Sequence, residues 1–396
     1  MPEIVQNLIR IEDILKNEYL PFLNNVINVE PSIFMEKIRK GTLTAAQGEF
    51  GARIGVGGGF GMSEEGHATP KANAPIYSKF KYTTRDGYCD IKISHKTVKL
   101  GQQNSAVLKN AVKDEIDASY ETTKWNSARM LFGNGSGLLA KTAGAATDSK
   151  TITVDSTATL IEGLSVDIYA SAAADAPISG AEAVQITDIN HATKTITLSA
   201  EVSVSTGACI YNQNSKDREI TGLGSIFDDA VTEIYGVEKA NRASIVPYSV
   251  DAQNDIDDIK ITRAIQIVER QRQCKIDLLM LGDDAYAAYL AYLHETNTKY
   301  VVNNDYKGGF SSVKVLLGNR EVDVYNEQFV PSGNIWGVDT DQFELRQTGW
   351  DFAAYQSSIF NLAPGTSVYR ALLANYMELI CRNPGACINI KNVGAA

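Results

Sequence analysis

The stretch Asn104–Phe132, NSAVLKNAVKDEIDASYETTKWNSARMLF, decides how the rest of the chain has to be arranged. It holds neither proline nor glycine, and Gly101 and Gly133 stand on either side of it as stops. Ala111, Ala118, Trp125 and Phe132 recur every seventh residue, and Leu108, Val112 and Ile116 follow at spacings of four. Both spacings return a side chain to one side of a helix with about 3.6 residues per turn. The pattern predicts one continuous helix, opened by Asn104 or Ser105 as N-cap and roughly 43 Å long at about 1.5 Å per residue. Helices of globular proteins average about 11–12 residues, so this one should span a whole domain. Asp114, Thr122 and Arg129 interrupt its apolar stripe, so one small core is not expected to bury all its faces. It reads as a strut with a sheet or a neighbouring molecule against it.

The bulk numbers fit a large globular chain. At 396 residues it has room for two or three domains, taking about 150 residues for each. It is 44% hydrophobic and 21% charged, with no run approaching the roughly 18 apolar residues of a membrane span. The opening MPEIVQNLIRIEDIL carries early acids and no uninterrupted apolar stretch, so no secretory signal is expected. The five cysteines (Cys89, Cys209, Cys274, Cys381, Cys387) form no CxxC and there are only four histidines, so neither a zinc site nor a disulfide framework is expected. The cysteines fit small apolar fillers in a reducing compartment. The net charge of −10 argues against a protein that grips nucleic acid through its phosphates.

Residues 4–20 carry apolar positions at Ile4, Leu8, Ile11, Leu15 and Leu20, a helical pattern that Pro21 ends. A second helix is predicted from Ser32 to Lys40, stopping at Gly41. The next stretch, GEFGARIGVGGGFGMSEEGHATPKANAP, is rich in glycine and poor in large apolar residues. Tyr77–Tyr82 and Tyr88–Ile93 then alternate in the manner of strands, with Arg85-Asp86-Gly87 between them read as a turn. GVGGGFG does not satisfy G-x-G-x-x-G, because Phe60 falls at the third glycine, and no Gly-Lys pair exists for a phosphate loop. A long hairpin that reaches outside its own domain is the expectation.

After GNGSGLLA (Gly133–Ala140) the composition shifts to Ala, Thr and Ser. Short strands are predicted at 151–154, 165–169, 183–189, 195–199 and 208–211, with a turn at Asn190–Lys194 holding His191 as a solvated loop residue. Their spacing implies a small β-barrel or sandwich. Further on, Ile256–Cys274 is an amphipathic helix, Ile276–Leu281 a buried strand and Asp283–Glu295 a helix with acids at its positive end. Strands follow at 313–318, 321–325 and 334–339. That alternation indicates a mixed sheet with helices on its faces. Ser367–Cys381 is a long strand or strand pair, turned by Pro384-Gly385, and ACINIKNV closes as a pairing strand.

No chemistry rises out of this pattern. There is no G-x-S-x-G elbow and no H-E-x-x-H. The acids Asp251, Asp255, Asp257 and Asp258 lack the glycine and terminal glutamate of a calcium loop and read as a solvated helix entry. Asp339-Thr340-Asp341 reads as a turn. No catalytic, cofactor-binding or metal-ligating residue is nominated, and no enzyme activity or cofactor is expected.

The order of parts carries more information than any motif: a helical arm, a glycine-rich hairpin, one very long helix, LFGNGSGLLA, a mixed α/β body holding GVDTDQFEL (337–345), and the ending SVYRALLANYMELICRNPGACINI. In this order and texture the chain resembles the major capsid proteins of tailed bacteriophages, with the HK97-type shell fold. The resemblance implies an α+β fold with 1–41 as N-terminal arm and 42–100 as extended β-hairpin loop. It makes 101–135 with 340–396 the peripheral domain around the spine helix, and 216–339 an axial α/β domain. The β-rich segment, 145–215, is not needed by the minimal fold and would be an inserted barrel or sandwich domain.

The implied function is self-assembly, as hexamers and pentamers, into an icosahedral head shell around double-stranded DNA held without sequence-specific contacts. Scaffolding, portal and decoration proteins are the implied partners, the virion capsid the implied location, and the host bacterial cytoplasm the implied place of assembly, with no membrane involved. The arm is short, so scaffolding would be a separate protein. Some members of that family cross-link Lys to Asn between subunits; Lys71, Lys79 and Lys81 lie in the proposed loop, but no motif carries that chemistry over. The alternatives are a glycan-binding or adhesive structural protein using the β-rich segment, a carboxylate hydrolase for which no acid pair is nominated, and an encapsulin-like compartment.

Overall fold

The computed structural model describes residues 32–55, 57–96, 105–295, 301–303, 312–317, 320–353 and 359–394. The helix expected over 4–20 and the N-cap candidate Asn104 lie outside them. The described residues form two compact units that alternate along the chain, 85–224 with 350–375, and 32–84 with 225–349 and 376–394.

In the first unit the expected strut is a single helix, Ser105–Phe132, of 28 residues. Its last turns bury Thr123, Ser127, Ala128, Arg129, Leu131 and Phe132. The seven-residue repeat is therefore an incomplete guide: Phe132 is buried and Trp125 half-buried, while Ala118 faces solvent. Arg129 does not interrupt the buried side. It is 4% exposed and forms a two-pronged pair with Glu219, itself 3% exposed, through Nη1–Oε2 at 3.0 Å and a second bond from Nη2 to Oε1. Paired hydrogen bonds in fork geometry are the condition under which a buried charge is tolerated. The helix then stops against glycines. A Cβ on Gly222 would come within 2.5 Å of the carbonyl oxygens of Gly133 and Met130, so only glycine lets the returning chain lie across the helix end.

Strand β4 (Arg85–Ser94) pairs with the first half of the long strand β22 (Val368–Cys381). The same half of β22 also pairs antiparallel with β20 (Asp351–Phe352) and β21 (Asn361–Leu362). Arg85, Asp86 and Gly87, expected as a turn, are instead the first residues of β4. The break is at Thr84, and β4 takes β22 as its partner rather than the strand before it. Asp90 and Arg370 join β4 to β22 with two hydrogen bonds of 3.0 and 2.8 Å.

Six further strands of this unit follow the helix: β5 (Leu138–Lys141), β6 (Ala146–Thr153), β7 (Ser165–Tyr169), β8 (Val184–Asn190), β9 (Thr195–Val204) and β10 (Cys209–Asn212). Their order is β5-β10-β7-β8-β9-β6. The two ends meet: Thr142 and Val154, just beyond β5 and β6, form an antiparallel bridge, and Ala143 N donates to Thr153 O at 2.8 Å and Asp155 N to Lys141 O at 2.9 Å. Inside lie Ile152, Val166, Ile168, Ile186, Ile196, Leu198 and Ile210, with Trp125 of the long helix packed against them. The alternation of buried and exposed residues along β8 and β9 is the period-two signal seen in the sequence. His191 sits in the β8–β9 turn, exposed, with Nδ1 3.0 Å from Thr157 Oγ1.

The second unit opens with a short helix, Ile33–Lys37, capped by Ser32. The sequence predicts a helix to Lys40, yet Ile38 is already extended and Arg39–Thr42 form β1, in parallel register with β19 (Phe343–Gln347). Ladder hydrogen bonds to a strand some 300 residues away override the local helical pattern. β2 (Gln47–Gly55) and β3 (Ile76–Thr83) form a two-stranded ribbon, and β11 (Glu233–Ile234) and β12 (Val237–Glu238) a tight hairpin.

The main sheet has seven strands in the order β13-β23-β18-β14-β17-β16-β15. These are β13 (Tyr248–Asp251), β14 (Leu278–Leu281), β15 (Val301–Asn303), β16 (Ser312–Leu317), β17 (Arg320–Asn326), β18 (Ile335–Val338) and β23 (Ile388–Lys391). It is mixed: β13–β23 and β14–β17 are parallel, and the other pairs antiparallel. The helices Asp258–Arg272 and Asp283–Glu295 bury Ile261, Ile265, Val268, Tyr289 and Leu293 in the same core as the sheet residues Leu279, Leu281, Val322, Val324 and Ile388.

Replacing Gly222 by Ala pushes backbone against backbone at the end of the long helix. The expected result is a loss of about 2–4 kcal/mol, read as a fall in Tm of several degrees, whereas Gly144→Ala, with open space around it, leaves Tm within a degree or so.

Candidate functional site

The feature without counterpart in an ordinary globular chain is the β2–β3 ribbon. Its root is well held. Phe50, Phe80 and Tyr235 pack ring to ring with centroids 5.3, 5.5 and 5.7 Å apart. Tyr235 and Gly236 both have positive φ, the mirror-image turn that suits a two-residue hairpin. That turn lets Lys81 N donate to Tyr235 O at 2.9 Å, while Tyr235 Oη donates to Leu379 O at 2.8 Å. Burial drives the Tyr235 hydroxyl well above its ordinary pKa, so it stays a neutral donor. Beside it, the Arg346 guanidinium lies 5.5 Å over the Tyr82 ring and 3.2 Å from its hydroxyl.

Beyond the root the ribbon leaves its own core. Residues 57–77 are all exposed. Strand β2, Gln47–Gly55, alone rises roughly 26 Å at about 3.3 Å per residue, and the chain runs on from Gly57 to the turn at Glu64. The glycine run is what lets the two arms run close. A Cβ on Gly57 would meet Asn73 O at 2.9 Å, and Gly59, at φ +119, faces the Ala72 backbone at 3.1 Å. Near the tip, Phe60 is 91% and Met62 92% exposed; Ile76 and Tyr77 lower down are 56% and 60% exposed. The sequence predicts this hairpin, and at Gly57 and Gly59 the lack of a side chain is what the close approach requires.

The acids singled out in the sequence are consumed in local caps. Asp257 caps the helix at Lys260 N, Asp255 pairs with Lys260 at 2.8 Å, and Asp251 accepts from Gln253 N at 2.9 Å. Asp258 accepts from Tyr289 Oη at 3.0 Å. Asp339 accepts from Lys275 N and Gln342 Nε2, and Asp341 pairs with Arg39. Among the described residues no group of three metal-ligating side chains comes together, and no described helix is long and apolar enough to cross a membrane.

One cleft of about 360 Å³ opens in the second unit, lined chiefly by Lys239, Ala243, Val246, Pro247, Val268 and Arg272. It holds no carboxylate, and its cations rest partly on carbonyls, Lys239 Nζ on Asp228 O at 2.7 Å and Arg272 Nη2 on Ala243 O at 3.2 Å. Nothing in it is arranged to move a proton or form a covalent bond.

Two buried networks are absent from the sequence reading because their partners are far apart in the chain. One is Arg129–Glu219. The other joins Ser32, Tyr325 and Glu327: Ser32 Oγ donates to Glu327 Oε2 at 2.9 Å, and Tyr325 Oη to the same oxygen at 3.2 Å. Burial at 5% exposure outweighs these bonds and pushes the Glu327 carboxyl up to about 7. Close by, Lys37 pairs with Asp323 at 2.7 Å and with Asp277 at 3.5 Å.

No family model and no curated protein matches the sequence. Solved structures do match the fold. A chain of the cyanophage A-1(L) capsid asymmetric unit is similar over 95% of this chain and 93% of its own, with a TM-score of 0.54 and 8% identity. The capsid of an empty GTA particle is similar over 92% and 90%, at TM-score 0.48 and 9% identity. The SrpI encapsulin of Synechococcus elongatus is similar over 90% and 85%, at 0.44 and 8%. At such identities the likeness is one of fold. The match to the cyanophage chain, over nearly all of both, gives this protein the capsid shell fold that its order of parts resembles.

Two outcomes follow from the buried networks. Arg129→Met alone strands the Glu219 carboxylate and should cost about 3–5 kcal/mol, most of it recovered in Arg129→Met with Glu219→Met. For Glu327, a carboxyl raised from 4.5 to about 7 binds its proton more tightly in the folded chain. Its stabilising contribution is complete below the ordinary carboxylate pKa and is lost as pH rises through about 7, by up to roughly 3 kcal/mol. Denaturant unfolding at pH 5 and pH 8 should show this loss in the unmodified protein and not in Glu327→Gln.

Proposed function

We propose that this chain is a major capsid protein that assembles with copies of itself, as hexamers and pentamers, into the icosahedral head shell of a tailed phage, around double-stranded DNA. The observation that carries the reading is the ribbon: a rooted, two-stranded arm with apolar side chains near its end and no cover of its own. An isolated hairpin is marginal in water, and apolar groups exposed together mark an interaction surface. Copies draped over one another supply the cover and enlarge the buried area toward that of lasting assemblies, above roughly 2,000 Å². The fold shared with the cyanophage capsid chain supports the same reading.

On this reading the role is structural, with no substrate and no cofactor. The acidic surface keeps packaged DNA from sticking to the wall. Residues 1–41 serve as arm, 42–100 as the extended loop, 101–135 with 340–396 as peripheral domain, and 216–339 as axial domain. Residues 145–215 are an inserted barrel domain, supported by the β-ladder that meets itself between Thr142 and Val154 and by an exit that returns to its entrance, Asp217 N donating to Ser136 O at 2.8 Å. Scaffolding, portal and decoration proteins are the further partners, and assembly takes place in the host cytoplasm before the protein resides in the virion.

Electron microscopy of the protein, produced alone and with a scaffold, should show closed particles; a monodisperse monomer under every condition sinks the reading. Deletion of residues 57–75, replaced by a two-residue turn, should abolish particles while leaving the Tm of the soluble chain within a few degrees.

A further inference from the structure

The geometry points to the seat of the ribbon's end: we infer that the tip, Phe60 to Glu65, docks into the cleft between Lys239 and Arg272 of a second copy of this chain. This rests on the shell reading and adds to it the surface that receives the arm.

The two surfaces complement each other in shape and charge. The tip carries Phe60 and Met62, the most exposed large apolar residues described, followed after Ser63 by Glu64 and Glu65. The cleft offers an apolar floor of Ala243, Val246, Pro247 and Val268 beneath two cations, Lys239 and Arg272. At about 360 Å³ it is within the size range of sites that take a bound group, about 300–1,000 Å³, enough for one aromatic ring and a thioether side by side. No carboxylate lines the cleft itself, although Asp228 and Asp229 lie near enough to Lys239 to hold part of its charge. The carbonyls that Lys239 and Arg272 touch hold them at the rim while leaving donors on both cations unspent. Lys has three donors and Arg five; Lys239 Nζ donates to Ile226 O and Asp228 O, and Arg272 Nη2 to Ala243 O. The burial that lowers the Lys239 ammonium below its ordinary pKa is the setting in which an arriving carboxylate gains most, because the charge is already partly stripped of water.

The ribbon is long enough to reach a neighbour and is stiffened near its root by Phe50, Phe80 and Tyr235, so the end is presented rather than trailing. Phe60 and Met62 are two residues apart, and both are more than nine-tenths exposed.

Paired cysteines test this. Met62→Cys with Ser249→Cys, at the cleft wall, should give a ladder of covalently joined chains on mild oxidation of assembled particles, at least tenfold stronger than in either single variant or in Met62→Cys with Glu162→Cys. Particles without a ladder above these controls overturn the inference and leave the shell reading intact. A single-chain band shift, independent of concentration, also overturns it, because the tip would then lie on its own cleft. Failure of the unmodified chain to form particles under any condition overturns both. Charge exchange supplies a second test that needs no cross-link. Glu65→Lys and Arg272→Glu should each cut particle yield about tenfold or more, and the two together should recover most of it; equal loss in the double variant, with Tm unchanged, counts against the docking.

Discussion

Everything distinctive in this protein depends on one physical imbalance: an arm is firmly rooted in its own core and left without cover along its length. The root is built as cores are built, from three aromatic rings and a buried tyrosine hydroxyl that donates to one strand and accepts from the next residues of the same strand. The outer half has none of this. Residues 57–77 are exposed throughout, and glycines let the two arms run together where side chains would hold them apart. A free chain gains nothing from exposing Phe60 and Met62, so the gain has to come from contact with another molecule.

The rest of the first unit is arranged to be stiff. A helix of 28 residues is held at its end by a buried Arg–Glu fork and by glycines lying on its last carbonyls. Neither device adds a pocket or a reactive group. Both fix the direction in which the chain leaves the helix at Gly133 and returns at Gly222. In the second unit the acids that look suspicious in isolation are spent as caps and ion pairs.

Much of this was legible in the residues. The long helix shows in an unbroken run without Gly or Pro, and the strands after it show in period-two alternation; β7 falls at 165–169 and the helix Asp283–Glu295 at its expected bounds. What the sequence hides is whatever depends on a distant partner. Arg129 looks like an interruption because Glu219 is 90 residues away. Ser32–Lys40 looks helical because the strand that captures Arg39–Thr42 begins at Phe343. Arg85–Gly87 has turn composition, yet the ladder with β22 makes it a strand. Ala118 holds a heptad position and still faces solvent, while the next residue, Ser119, accepts at its carbonyl from Cys89 Sγ of β4 at 3.7 Å: the covered side of the helix is set by β4, not by the heptad. The cleft cations were invisible for the same reason: Lys239 and Arg272 lie 33 positions apart.

The two β-structures of the chain handle exposed strand edges in opposite ways, and the contrast bears on function. A strand edge offers unpaired N–H and C=O groups to any other chain, and natural proteins cover, charge or close such edges. Residues 138–212 bring their first and last strands together at Thr142 and Val154, which removes most of the edge. The ribbon at 47–83 does the reverse: it is two strands wide, extends beyond its core and exposes Phe60, Met62, Ile76 and Tyr77 among its charges. Had the chain been selected only to stay apart from its copies, the first solution was available for the second segment too. An open ribbon kept beside a self-closing module is therefore best understood as an edge and a tip meant to be occupied.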